Sequence, residues 1–202
     1  GVLAIIVIFQ PELRRALEQL GRGRLFIRAT SEDDQELHKR IGEIVRAVQA
    51  MARQKIGALI VFERETGLSD YIESGISIEG AISSELLINI FTPNTPLHDG
   101  AVIIRHGRIA AAGCYLPLSE NPFISKQLGT RHRAAIGMSE VSDAVCVVAS
   151  EETGQVSLTV NGQIIRDISE KNLMEKLYEL LSPKNRMKER RPFWRRKEDK
   201  DG

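Results

Sequence analysis

Thr95-Pro96-Leu97-His98-Asp99-Gly100-Ala101-Val102-Ile103-Ile104, continuing through Arg105-His106-Gly107-Arg108 into Ile109-Ala110-Ala111-Ala112-Gly113-Cys114-Tyr115, is the stretch that decides the fold. Two apolar runs of strand length flank a polar turn, so Ala101 to Ile104 and Ile109 to Tyr115 read as a hairpin. A hairpin excludes a purely parallel sheet. Asp99-Gly100 stands directly before the first of these strands. It places a carboxylate and a side-chain-free backbone position at the mouth of the sheet.

Upstream, Ile56 to Phe62 is a compact apolar run and reads as a buried strand. Arg64 to Gly75 is polar and turn-rich. Ser83-Ser84-Glu85 opens a short helix, Leu86 to Phe91, which Pro93 and Pro96 deny continuation. Further back, Ser31 reads as an N-cap, with Glu32, Asp33 and Asp34 suited to the positive end of a helix dipole. Leu37, Ile41, Ile44, Val45, Val48 and Met51 then recur at helical spacing as far as Gln54.

Downstream, Leu116 to Gln127 is a long connection containing Pro117 and Pro122. A helix is expected from Thr130 to Gly137, then strands at Ala144 to Ala149, Val156 to Val160 and Gln163 to Ile168. Ser150-Glu151-Glu152-Thr153-Gly154 and Asn161-Gly162 supply the turns between those strands. Ser169-Glu170 caps a last amphipathic helix that runs to Leu181. The order of elements is α/β: one globular domain, residues 31–182, with a mixed central β-sheet flanked by helices.

Both ends differ from this body. Val2 to Phe9 is almost wholly apolar yet too short to span a bilayer, and Arg14, Arg15, Arg22, Arg24 and Arg28 follow it. Residues 1–30 read either as the cut end of a last membrane helix with a juxtamembrane linker or as a buried strand or helix start. Residues 183–202 are rich in Arg and Lys without apolar periodicity, and read as a disordered basic tail. Phe193-Trp194 among arginines suits an anionic membrane surface or plain solvation.

The 202 residues carry a net charge of +1, which gives no whole-protein argument for nucleic acid or for a strongly acidic partner, so no nucleic-acid partner is expected. Aromatic residues make up 5%, too few for a base-stacking platform. Cys114 and Cys146 sit in apolar runs without metal-ligand spacing, so they read as buried free thiols and point to a reducing cytosol.

The chemistry concentrates in three places. Asp99 is an oxygen donor for a hard cation such as Mg²⁺, and His98 beside it suits Mn²⁺ or another transition metal. Neighbouring side chains of an extended segment diverge, so joint ligation requires a kink, a second metal or a second subunit. Leu128-Gly129-Thr130-Arg131-His132-Arg133-Ala134-Ala135 gathers two fixed cations and an imidazole at a helix start, where free N–H groups receive an anion; the bland alternative is a solvated face. In the turn at Ser150 to Gly154, the Ser150 hydroxyl can donate to phosphate and Glu152 can hold metal water, or both are simply solvated. No Ser-His-Asp or Cys-His arrangement and no Gly-rich phosphate loop is legible. A polyphosphate ligand on another scaffold fits these residues.

Thr95-Pro96-Leu97-His98-Asp99-Gly100-Ala101, Leu116-Pro117-Leu118-Ser119, Leu128 to Arg133 and Ser150 to Gly154 resemble the diadenylate cyclase (DAC) domain, in its membrane-anchored bacterial form. The likeness is close over Ile41 to Ile168, and Phe9 to Arg15 resembles the end of that family's last membrane helix. It implies a DAC/DisA_N-like fold. It also implies condensation of two ATP into cyclic di-AMP with loss of two pyrophosphates, between two face-to-face subunits of a homodimer.

By the same resemblance, Asp99 and His98 would hold a divalent metal, Mg²⁺ or Mn²⁺ with Co²⁺ a third candidate. Thr130, Arg131, His132 and Arg133 would position the triphosphate, with Asp99, Arg131, His132 and Arg133 as the catalytic set. Gly100 and Ala101 would allow close approach of ATP, and a Cβ at Gly100 would intrude on ligand space. Tyr115 and Leu116 would flank adenine, and Ser150 and Glu152 would close the phosphate and metal shell. The resemblance further implies a YbbR-domain membrane regulator, a phosphoglucosamine mutase partner and a catalytic domain on the cytoplasmic side of the cell membrane. The rival readings are a metal-dependent nucleotide phosphohydrolase and a non-catalytic nucleotide-sensing module.

Overall fold

Seven strands form one sheet in the computed structural model, which describes residues 33–185. Helix α1 covers residues 33–53 of that range. The compact unit that carries the sheet begins at Lys39, within α1, and is described by itself below. The expected cap at Ser31, the N-terminal apolar run and the tail beyond Asn185 lie outside the described residues. Among the described residues no helix is long and apolar enough to cross a membrane.

The elements after α1 are β1 (Ala58–Phe62), α2 (Ser69–Glu73), β2 (Ile76–Ala81), α3 (Ser84–Phe91), β3 (Ala101–Arg105), β4 (Arg108–Cys114), α4 (Thr130–Val141), β5 (Val145–Ala149), β6 (Val156–Val160), β7 (Gln163–Ile165) and α5 (Glu170–Leu181). Their order across the sheet is β2-β4-β3-β1-β5-β6-β7. Only β1 and β3 run parallel, because the chain between them crosses over through α2, β2 and α3. The other neighbours are antiparallel, so the sheet is mixed, as expected.

The central strands β1 and β5 are buried along their whole length, which requires cover on both faces. On one face Leu59, Val61, Ala101, Ile103, Cys146 and Val148 pack with Ala134, Ala135 and Met138 of α4. Alternation turns Ile60, Val102 and Val147 to the other side. There α1 crosses the sheet: a Cβ at Gly107 would meet the Arg40 guanidinium, and one at Gly154 would lie 2.7 Å from the Ala52 carbonyl oxygen. The N-terminus of α3 docks on α1, with Ser84 Oγ accepting from Arg46 and Ser84 N–H donating to Glu43 at 2.8 Å.

Four local expectations change. The helix read as ending at Gly137 continues to Val141. Gly137 is not a terminator: the connection after β4 crosses the helix there, and a Cβ would strike the Pro117 carbonyl and stand 2.7 Å from Ser119 N. That crossing is pinned by Ser119, whose N–H donates to Arg133 O and whose hydroxyl donates to Glu140 at 2.6 Å. Within the stretch read as polar and turn-rich, Ser69–Glu73 forms α2, and the neighbouring Ile76–Ala81 pairs as edge strand β2. Strand β7 stops at Ile165, with Asp167 at positive φ before Ile168. The chain past Ser182 adds one more turn, held by Asn185 N–H on Ser182 O.

Candidate active site

A cavity of about 720 Å³ opens where β3 begins, β4 and β5 end, and α4 starts, a volume suited to a small-molecule ligand. It collects His98, Asp99, Gly100 and Ala101 from the entry to β3, and Tyr115 and Leu116 from the exit of β4. Thr130, Arg131 and His132 of α4 also line it, with Ser150 and Glu152 of the turn between β5 and β6. Every residue expected at the site therefore lies there except Arg133. Arg131 takes the cavity side and Arg133 does not.

The entry to β3 is built by its turns. Pro93 and Pro96 follow the end of α3, Thr95 Oγ1 donates to Thr92 O at 2.6 Å, and Asn94 sits at positive φ. His98 Nδ1 lies 2.6 Å from Thr95 O. A carbonyl only accepts, so Nδ1 carries the proton and Nε2 keeps its lone pair for a cation or a donor. The Asp99 side chain is exposed and has no hydrogen-bond or ion-pair partner among the described residues. No group of three His, Cys, Asp or Glu able to hold a metal occurs among the described residues. The donor set thus fits a cation that draws the rest of its shell from phosphate oxygens and water, as Mg²⁺ commonly does.

Gly100 has φ +98, a region that favours glycine, and a Cβ would lie 2.8 Å from the Cys114 carbonyl oxygen and from Gly113 C. The close approach of β4 therefore requires glycine here. The β3–β4 register shifts between Ala101 and Ile103, with Gly113 at φ +64 nearby. A bulge of this kind turns the strand end, here directing Tyr115 and Leu116 to the cavity. Tyr115 is 75% exposed, while Leu116 packs on the core.

At the start of α4 the N-cap Gly129 has no side-chain cap bond, and the first helical bond runs from Arg133 N to Gly129 O. The preceding N–H groups are thereby left for an anion. Arg131 is largely buried; its Nη1 pairs with Glu151 at 3.3 Å, and its Nε is buried without an acceptor among the described residues. A guanidinium that lines the cavity and keeps part of its surface open can take a phosphate oxygen through its terminal nitrogens. The Glu151 carboxylate is 62% exposed, so this pair is weak and open to exchange. Arg131→Ala is expected to weaken binding of a phosphate-bearing ligand by roughly ten- to a hundredfold, the worth of a charge-assisted hydrogen bond, with Lys restoring only part. Arg133→Ala should bind the same ligand within a few-fold of wild type in the same titration.

His132 is buried, and this holds its imidazole below the usual histidine range, aided by Arg166 and Arg131 and opposed by Glu152. The folded chain therefore resists protonation that the unfolded chain accepts. Stability is unaffected above the unfolded value of about 6.5 and declines as pH falls from there toward the lowered folded value. The melting temperature should drop across that window, and His132→Gln should flatten the slope. Glu63 and Asp143 do not confuse the result: burial raises both, but Arg105 with the Leu68 N–H for Glu63, and the Thr66 and Glu65 N–H groups for Asp143, hold them below the carboxylate range.

Three contributors escaped the sequence reading. Glu151 pairs with Arg131, whereas the turn's chemistry was assigned to Glu152. Ser74 Oγ accepts from Tyr115 N–H at 3.0 Å and donates to Tyr71 O, fixing the lip of the cavity. Gly57 lies under the Arg131 guanidinium. The thiols are as expected: both free and buried, with burial pushing Cys114 up to about 11 and Cys146 up to about 12.

A mixed sheet thus gathers a helix start, a carboxylate and an exposed tyrosine around one cavity. The family described as DAC, DisA bacterial checkpoint controller nucleotide-binding, matches residues 45–164, and the chain belongs to that family. It is 60% identical over 177 residues to the cyclic di-AMP synthase CdaA of Bacillus subtilis, covering 88% of this chain and 65% of that protein. It is 61% identical over 173 residues to a diadenylate cyclase of Listeria monocytogenes, covering 86% and 63%. The chain spans just under two thirds of the length of these relatives. A crystal structure of a DacA double mutant from Staphylococcus aureus superposes with a TM-score of 0.69 at 61% identity, covering 70% of this chain and 94% of that one. A hypothetical membrane spanning protein from Bacillus cereus gives 0.63 at 35%, covering 81% and 80%.

Proposed function

We propose that this chain is a diadenylate cyclase, joining two ATP molecules into cyclic di-AMP with release of two pyrophosphates. The observation that carries the proposal is the convergence of Asp99, Arg131, His132, Ser150 and Glu152 on one cavity beside Tyr115 and Leu116. Membership of the DAC family and the names of the relatives support it.

In this reading the adenine lies by Tyr115 and Leu116, and the triphosphate runs to the start of α4. Each 3′-oxygen forms a bond to the other ATP's α-phosphorus as the α–β phosphoanhydride bond breaks and pyrophosphate leaves. The hydroxyl proton passes to solvent. Phosphoryl transfer of this kind depends on positioning and charge neutralisation. Arg131 and the α4 N–H groups hold the phosphates against the developing charge, and His132, kept neutral by burial, donates or accepts without adding a fixed cation. Asp99 and His98 would hold Mg²⁺ or Mn²⁺, which when bound lowers the pKa of the attacking hydroxyl and screens the phosphate.

Work at the cytoplasmic face of a membrane belongs to the same proposal. It is supported by the apolar run at Val2 to Phe9 with its following arginines, and by the membrane-spanning description of the Bacillus cereus neighbour. A YbbR-domain regulator and a phosphoglucosamine mutase enter through the family resemblance alone.

Incubation with ATP and Mg²⁺ or Mn²⁺, followed by mass identification, tests the activity. The expected products are cyclic di-AMP and two pyrophosphates per ring. Release of inorganic phosphate without a dinucleotide would replace the proposal with a phosphohydrolase. Tight ATP binding, unchanged in Asp99→Asn and with no product, would replace it with a sensing module.

A further inference from the structure

We propose that Gly57 is a positioning residue for the phosphate-binding guanidinium, leaving free the space before β1 that the Arg131 guanidinium occupies. The proposal rests on Arg131 taking phosphate. Gly57 lies just before β1, and the Ala58–Ala149 pairing of β1 with β5 sets it beside Ser150. Arg131 comes from α4, and its guanidinium lies directly over the Gly57 Cα. A Cβ at that position would stand 2.6 Å from Arg131 Nη1, 2.7 Å from Cζ and 3.2 Å from Nε. Contacts under 3.0 Å are not sustained, so any side chain at residue 57 moves the guanidinium.

This glycine differs from the others near the cavity in what it would strike. A Cβ at Gly100 meets the backbone of β4, and one at Gly137 meets the Pro117 carbonyl. Neither can yield, so those glycines are required by the fold. At Gly57 the three nearest atoms all belong to the far end of a flexible side chain, and its φ is not in the left-handed region. The fold therefore tolerates alanine at Gly57, while the site does not. Sheet on one side and Glu151 on the other hold the guanidinium with Nε unpaired. Displacement by a methyl group would shift the guanidinium and its terminal nitrogens away from the cavity that Arg131 lines.

The test is a double-mutant cycle on the intact chain, read by calorimetric titration with ATP and by thermal melting. Gly57→Ala should melt like wild type and bind ATP roughly tenfold or more weakly, the lower end of the worth of a charge-assisted contact. In the Arg131→Ala background, Gly57→Ala should change ATP affinity no further, because the group it displaces is absent. Should Gly57→Ala lower the melting temperature, Arg131→Ala, which vacates the space, should restore it. Wild-type affinity in Gly57→Ala alongside a defect in Arg131→Ala overturns the role of Gly57 and leaves that of Arg131 standing. A further loss in the Arg131→Ala background also overturns it, since Gly57 would then act by another route. Normal binding by Arg131→Ala removes the phosphate role of Arg131, and the role of Gly57 with it.

Discussion

Asp99→Asn is expected to lower cyclic di-AMP formation by roughly a thousandfold, since charge stabilisation by a bound cation is worth several kcal/mol and each ~1.4 kcal/mol is a factor of ten. The substitution keeps the shape of the side chain and removes its charge. Because Asp99 is exposed and has no hydrogen-bond or ion-pair partner among the described residues, the fold loses nothing by the change. The melting temperature should stay put while turnover collapses, and ATP affinity without added metal should be nearly unaltered. The measurement is initial product formation at saturating ATP over a range of Mn²⁺ or Mg²⁺. Turnover within a few-fold of wild type would remove Asp99 from the chemistry. A defect that disappears at high metal would assign it to cation affinity alone.

The assignment of Asp99 was open to sequence reading because the signals around it are local. Pro93 and Pro96 end a helix, Asp99-Gly100 opens a strand, and a His106-Gly107 turn closes a hairpin, each within a few residues. The structure keeps all three. The parts that could not be read depend on distant partners. Strand β2 is an exposed edge strand with a register shift between Ser77 and Gly80, so it lacks the apolar pattern that marks a buried strand. Helix α2, Ser69–Glu73, is too short to show a period. Glu151 was indistinguishable from Glu152 until the turn placed one against Arg131.

Arg133 is a different case. A helix from Thr130 was expected, but which of its first-turn side chains meet the cavity depends on the strands packed around them. Reading Arg131-His132-Arg133 as one motif grouped Arg133 with two residues that line the cavity when Arg133 does not. Gly57 illustrates the opposite limit. Nothing in Lys55-Ile56-Gly57-Ala58 marks it, and its meaning comes only from the guanidinium that the fold lays across it.

Dilution supplies the second large effect. In the proposed reading a single cavity would hold one adenine at Tyr115 and Leu116 and one triphosphate at α4, so the ring would close only where two such cavities face each other. Such an arrangement is twofold and self-complementary. The connection after β4 offers surface for it: Tyr115 is 75% exposed, Leu118 51% and Phe123 94%, on the same loop that lines the cavity. Exposed apolar groups on a connection that lines the cavity suit association with a second copy. Below the dimer dissociation constant, each tenfold dilution should lower activity per chain by nearly tenfold, because the dimer fraction falls in proportion to concentration. Phe123→Asp should move that curve to higher protein concentration without altering the melting temperature. Mixing wild type with excess Asp99→Asn should place most wild-type chains in mixed dimers, in which only one of the two bond-forming steps is supported, so ring closure per wild-type chain should fall. Constant activity per chain at dilutions where sedimentation shows only monomer would rule out the two-subunit site.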